Sequence, residues 1–266
     1  MTLPNLGVAL TGFRAWSKLT VKATAAFRVE LIVSLLDWVV PLAFMALWNT
    51  AAASSGIMSP GQTTTYYLVQ LVTSNLSLSG SLIFGLGPLV YSGELSVLLL
   101  MPLPPIIPLA TESIVNRLIR SAPLVVAVPL MAWFMKAGSS ADWRSVLLAS
   151  VLGLLGWSAA TLAAAVYALS TFWFGKWGGI MGLFIGLQWV LAGLIAPSPF
   201  LPDWLAWSMR LSPLWAAQGG LAELLSGVVA FQWWMFPVVL GWIAVLLAAW
   251  RWAWTRALRR FEAVGM

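Results

Sequence analysis

Residues 146–172 read VLLASVLGLLGWSAATLAAAVYALSTF, an apolar run with no Asp, Glu, Lys or Arg. A helix needs roughly 20 apolar residues, at 1.5 Å rise each, to cross a hydrocarbon core about 30 Å thick. This run meets that requirement. On either side of it, 106–135 and 178–196 form further predominantly apolar blocks, and 31–52, 66–90 and 234–252 complete a set of six. The expected fold is therefore an all-α membrane protein with six transmembrane helices in a single transmembrane domain spanning 1–266.

Composition agrees. The chain is 61% hydrophobic and 8% charged, against about 25% charged residues in soluble domains, so it could not cover a water-facing surface. It has no Cys and no His. Disulfides, thiolate or imidazole metal ligands, cysteine nucleophiles and Ser-His-Asp catalysis are thereby excluded. No Gly-x-x-x-x-Gly-Lys-Ser/Thr motif is present, so an ATPase site of the P-loop type is absent from this polypeptide. No catalytic residue and no metal site is expected, nor any cofactor in this chain.

Charge placement sets the expected orientation. Of the basic residues, Arg14, Lys18, Lys22 and Arg28 precede the first span, and Arg251, Arg256, Arg259 and Arg260 end the chain. The expected outer connections carry only Lys136, Arg144 and Arg210. Basic flanks stay cytoplasmic, which places both termini in the cytoplasm of a multi-pass cell (inner) membrane protein. Their expected electrostatic partners are membrane lipids, not nucleic acid. No cleavable signal peptide is evident, because Pro4, Gly7 and Gly12 break the first apolar stretch.

Three segments outside the spans carry their own signals. Residues 5–28 place Arg14, Lys18 and Lys22 four apart among Leu10, Phe13, Trp16, Leu19 and Phe27, the pattern of an amphipathic helix lying in the membrane interface. Residues 91–105 open on Gly93-Glu94 and close on Pro102, Pro104 and Pro105. This punctuation suits a short helix held at the cytoplasmic surface. Residues 197–230 are apolar and aromatic but interrupted by Pro197, Pro199, Pro202 and Pro213, and so cannot make one straight span. They are expected to form a short outer helix pair, re-entrant or capping the bundle as a lid.

Charge inside a span is costly, and so marks positions of interest. Asp37 lies in the first span, and Glu112, Arg117 and Arg120 lie in the third. The latter read either as an intramembrane polar or ion-pair track, or as arginines reaching for headgroups with Glu112 beside them. Gly178, Gly182 and Gly186 make a small-x-x-x-small register, suited to close helix packing or a dimer interface.

The stretch Gly93-Glu94-Leu95, Leu98-Leu99-Leu100, Pro102 resembles the "G-E/T-L-x-x-L-L-x-x-P" signature of permease subunits in type 2 ABC exporters. The Pro-rich outer segment and the ending Arg259-Arg260-Phe261-Glu262 are similar to landmarks of a bacterial six-span branch of about 260 residues. Phe261 stands where Tyr is more usual. The resemblance implies a permease subunit without its own ATPase site, paired with a second permease copy or a homologue. It further implies two copies of an ABC ATP-binding subunit, which would hold the ATP and Mg. Gly93, Glu94, Leu95 and Pro102 would form the coupling segment that meets that subunit, and residues 5–28 the connecting helix beside it. Export by alternating access follows from the resemblance alone. A proton-coupled secondary transporter using Asp37, or a non-transporting assembly protein, is the alternative. The cargo is not legible; 18 Trp suit an amphipathic, drug-like or lipid-linked cargo and equally suit simple anchoring of spans.

Overall fold

The structure, a computed structural model, describes residues 15–22, 34–77, 85–90, 92–100, 106–174 and 178–260. Pro102, Phe261 and Glu262, and the parts 5–14 and 23–28 of the expected interfacial helix, lie outside the described residues. Among the described residues all regular structure is helical. After a helix over 15–22, a 3-10 turn Ser34–Trp38 leads into α1 (Val39–Ser55) and α2 (Pro60–Leu76) follows. Helical residues 85–90 precede α3 (Leu95–Leu99), α4 (Ile106–Ser121) and α5 (Leu124–Phe134). Next come α6 (Trp143–Ala168), α7 (Thr171–Phe174) and α8 (Gly178–Leu191). The chain closes with α9 (Asp203–Arg210), α10 (Pro213–Ala217), α11 (Gly219–Ser226) and α12 (Met235–Arg260).

Three helical stretches are long and apolar enough to cross a membrane, namely Leu35–Ser55, Trp143–Phe174 and Met235–Arg259. The pair Thr111–Ser121 and Leu124–Phe134, bent by 42°, makes a fourth if read as one broken span. The break falls where Pro123 removes a backbone donor and clashes with the preceding turn, inside the block 106–135 expected to be one span. Among the described residues, two of the six expected spans do not reach this length. At 14 residues, α8 covers only about 21 Å, because the chain turns at Gly193 with φ +77°. α2 starts at Pro60, ahead of the expected Tyr66, since Ser59 and Gln62 form a reciprocal capping box there.

The connections gather at two ends. At one end, Gly138 N donates to Gly61 O and Ser140 N to Ser226 O, while Gln62 Nε2 reaches Ser140 Oγ at 3.2 Å. These bonds join the α1–α2, α5–α6 and α11–α12 connections. At the other end, Leu86, Leu95, Ala168, Leu169, Ala253 and Trp254 form one buried cluster. It draws together α3, the end of α6 and the C-terminal half of α12.

The main core joins α6, α9, α10, α11 and α12 around Leu152, Met209, Trp215, Leu224 and Met235. On α6, a Cβ at Gly156 would lie 2.4 Å from Ala216 C and 2.5 Å from Ala217 N, and one at Gly153 would lie 2.9 Å from Leu221. Only glycine permits that approach of α6 to the backbone of α10. The other glycine series behaves differently. Nothing lies within 4 Å of a Cβ built at Gly182 or Gly186. No described part of the chain packs on that face of α8 at Gly182 and Gly186, whereas Gly153 and Gly156 of α6 meet close neighbours.

Candidate functional site

The segment 92–100 is built around a buried anchor. Gly93 takes φ +77°, a left-handed turn that L side chains rarely adopt. Its carbonyl accepts from Ser96 N at 3.0 Å and from Ser96 Oγ. Leu95 is fully buried in the cluster with Ala168, Leu169 and Trp254. Glu94 holds the N-cap position of α3, yet its carboxylate makes no capping hydrogen bond and is exposed. Val97 is 57% and Leu100 86% exposed. The short helix therefore stands on Leu95 and presents an acid beside two bare apolar side chains.

At the opposite end, the segment between α8 and α12 folds back against α2 and α6. Its centre is Glu223, which the sequence reading passed over. This carboxylate is completely buried. Oε1 accepts from Ser198 N at 2.6 Å, and Oε2 accepts from Ser198 Oγ at 2.9 Å and Trp215 Nε1 at 3.2 Å. Arg210 donates to Ser198 Oγ from Nε at 3.2 Å and from Nη2 at 3.0 Å, setting a cation one residue away from the acid. Burial pushes the Glu223 carboxyl up to about 6, against the opposing pull of the Ser198 donors, Arg210 and Trp215.

The turn that ends α8 is held by side chains from α1 and α2. Gln70 Nε2 donates to Ala192 O at 2.9 Å and Tyr66 Oη to Gly193 O at 2.5 Å. Ile195 O accepts from Trp48 Nε1 at 2.7 Å and Tyr67 Oη at 3.2 Å. Carbonyls freed at a helix end within an apolar bundle need such partners. The signal in sequence is faint: Tyr66, Tyr67 and Gln70 are simply polar groups in an apolar block.

Two cavities flank α2. One, of about 460 Å³, lies between α2, α4, α6 and α11 and is bounded by Leu76, Ile114, Leu118, Leu154, Trp157 and Leu221. The other, of about 410 Å³, is bounded by Asp37, Ser74, Asn75, Gln188 and Gln218. Arg117 borders both, and Asp37 acts on it electrostatically. The structure thus places Asp37 on the same cavity as Arg117 of another helix. Glu112 points to the exposed side of α4, while Arg120 has an interaction partner of its own.

Three apolar helices of spanning length, most of whose surface is left bare, together with the bent pair in α4 and α5, mark a multi-pass membrane protein. Residues 42–265, most of the chain, match the family model of the ABC-2 family transporter proteins, and the chain belongs to that family. It is a membrane permease of an ABC transporter, and membership implies association with an ABC ATP-binding subunit. Comparison with curated proteins and with solved structures finds no match.

Proposed function

We infer that this chain is the membrane half of an ATP-driven exporter of the cell inner membrane. It works as one of two permease copies, or beside a homologous permease, on two ATP-binding subunits that hold the ATP and Mg. The observation that carries this reading is α3. A helix of five residues, anchored by one buried leucine, exposes Glu94, Val97 and Leu100 at the end of the bundle where α12 also terminates. Exposed apolar side chains around a charge suit a small protein–protein contact. Force delivered to α3 passes through Leu95 directly to α6 and α12, the longest helices of the bundle.

In this scheme six crossings are completed by the span expected over 66–90 and by the one that contains α8. The termini and α3 face the cytoplasm, and the Glu223-centred segment lies outside. Pro102 completes the coupling segment, and residues 5–28 lie along the interface beside it. Within 15–22, Leu19 and Val21 are exposed, as lipid contact requires. The bare face of α8 at Gly182 and Gly186, continuing toward Gly178, meets the second permease.

Co-expression with an ABC ATP-binding subunit tests the reading. Wild type should co-purify with that subunit and support its ATP turnover in nanodiscs. Glu94→Ala should lower permease-dependent turnover about tenfold, the effect of losing a charge-assisted contact. Gly93→Pro should abolish it. Unchanged turnover in both variants rules out α3 as the coupling element.

A further inference from the structure

We propose that the two cavities meeting at Arg117 form one binding site for an amphiphile with a single apolar chain and a zwitterionic head. The proposal rests on the permease reading and names its cargo class. Each cavity has the volume of an ordinary small-molecule site, and their chemistry differs sharply. In the larger one, the donors of the polar side chains other than Arg117 are spent on backbone. Thr73 Oγ1 donates to Val69 O at 3.0 Å, Ser150 Oγ to Val146 O at 2.8 Å and Trp157 Nε1 to Leu76 O at 3.1 Å. What remains facing that space is hydrocarbon and an indole ring, a seat for an apolar chain. Leu118 is 58% and Leu154 69% exposed. The cavity therefore opens sideways between α4 and α6, where lipid tails would lie.

The smaller cavity holds the head. A guanidinium matches carboxylate or phosphate oxygens with a planar fork of donors, and Arg117 offers it at the junction of the two spaces. Asp37 stands in the same cavity with the opposite charge, amid the amides of Asn75, Gln188 and Gln218. A purely anionic head would be repelled by Asp37 and a purely cationic head by Arg117. A head carrying both charges satisfies each, and its own neutrality limits the cost of leaving water.

The test uses the full-length permease in nanodiscs made only of anionic phosphatidylglycerol, so that the probe is the sole zwitterion. The probe is an alkylphosphocholine with a photoreactive diazirine in its chain. Labelling should map to peptides containing Ile114, Leu154 or Leu221. Unlabelled alkylphosphocholine should compete, whereas alkyl phosphate and alkyltrimethylammonium of equal chain length should compete about tenfold less well.

Asp37→Asn and Arg117→Lys should each reduce labelling about tenfold. Leu154→Trp should block chain entry with the head site intact. Equal competition by two-chain phosphatidylcholine would overturn the single-chain assignment; its failure, with single-chain competition retained, supports it. Equal competition by the anionic compound, or labelling indifferent to all three variants, overturns the proposal. Co-purification of the ATP-binding subunit is scored in the same samples. Loss of labelling with that association intact defeats only the cargo assignment, and loss of association alone defeats only the permease reading.

Discussion

Glu223 shows how one residue can organise a segment that proline would otherwise leave irregular. Its two oxygens collect donors from Ser198 and Trp215, residues contributed by separate turns of the chain. With the carboxyl raised from 4.5 to about 6, the folded state holds its proton more tightly than the unfolded state does. The resulting stabilisation is complete below pH 4.5 and is lost as pH rises through 6, amounting to about 2 kcal/mol. Thermal unfolding in nanodiscs between pH 4 and 7.5 should therefore show stability falling with pH in wild type. Glu223→Gln should flatten that component; an identical pH profile in the variant would refute the assignment. Nothing in the string Leu221-Ala222-Glu223-Leu224-Leu225 announces this role. An acid in a short helix reads as a surface residue, and its main partner lies 25 positions away.

Among elements, the decisive contact is α6 against α10. Gly156→Ala would drive a methyl into the Ala216–Ala217 peptide. Rigid backbone cannot yield as a flexible side chain would, so a loss of about 1–3 kcal/mol is expected. Gly241→Ala on α12, where nothing lies within 4 Å, should be neutral or stabilising, which makes the pair a matched thermal-unfolding test. The apolar blocks that became α1, α6 and α12 were legible because lipid imposes a length and excludes charge. The breaks were less so. Pro123 bends α4 from α5 within a stretch long enough to be taken for one span, and the end of α8 depends on donors from α1 and α2 that only the fold brings near. Glycine spacing alone also failed to separate two uses. Gly153 and Gly156 meet neighbours inside the chain, while the more regular series at Gly182 and Gly186 meets none.

For the whole molecule, connections gathered at two ends divide the labour. One end locks the α1–α2, α5–α6 and α11–α12 links around Glu223's segment, and the other gathers α3 with the ends of α6 and α12. A pair of permeases would meet through the bare face of α8. Gly182→Trp should accordingly leave monomer stability within about 0.5 kcal/mol of wild type and reduce cross-linked permease dimer in membranes; dimer yield equal to wild type would move the interface elsewhere. The central claim is that α3 hands force from an ATP-binding subunit to the bundle, and the absence of native Cys permits a direct measurement. Single cysteines at Val97, Leu100 and, as a control at the far end, Ser139 would be alkylated with a short maleimide–diazirine reagent and photoactivated in membranes containing that subunit, so that no thiol is needed on the partner. Cross-linking from Val97 and Leu100 but not from Ser139 is the expected result. Cross-linking from Ser139, or none from either α3 position while the complex remains assembled, would contradict it.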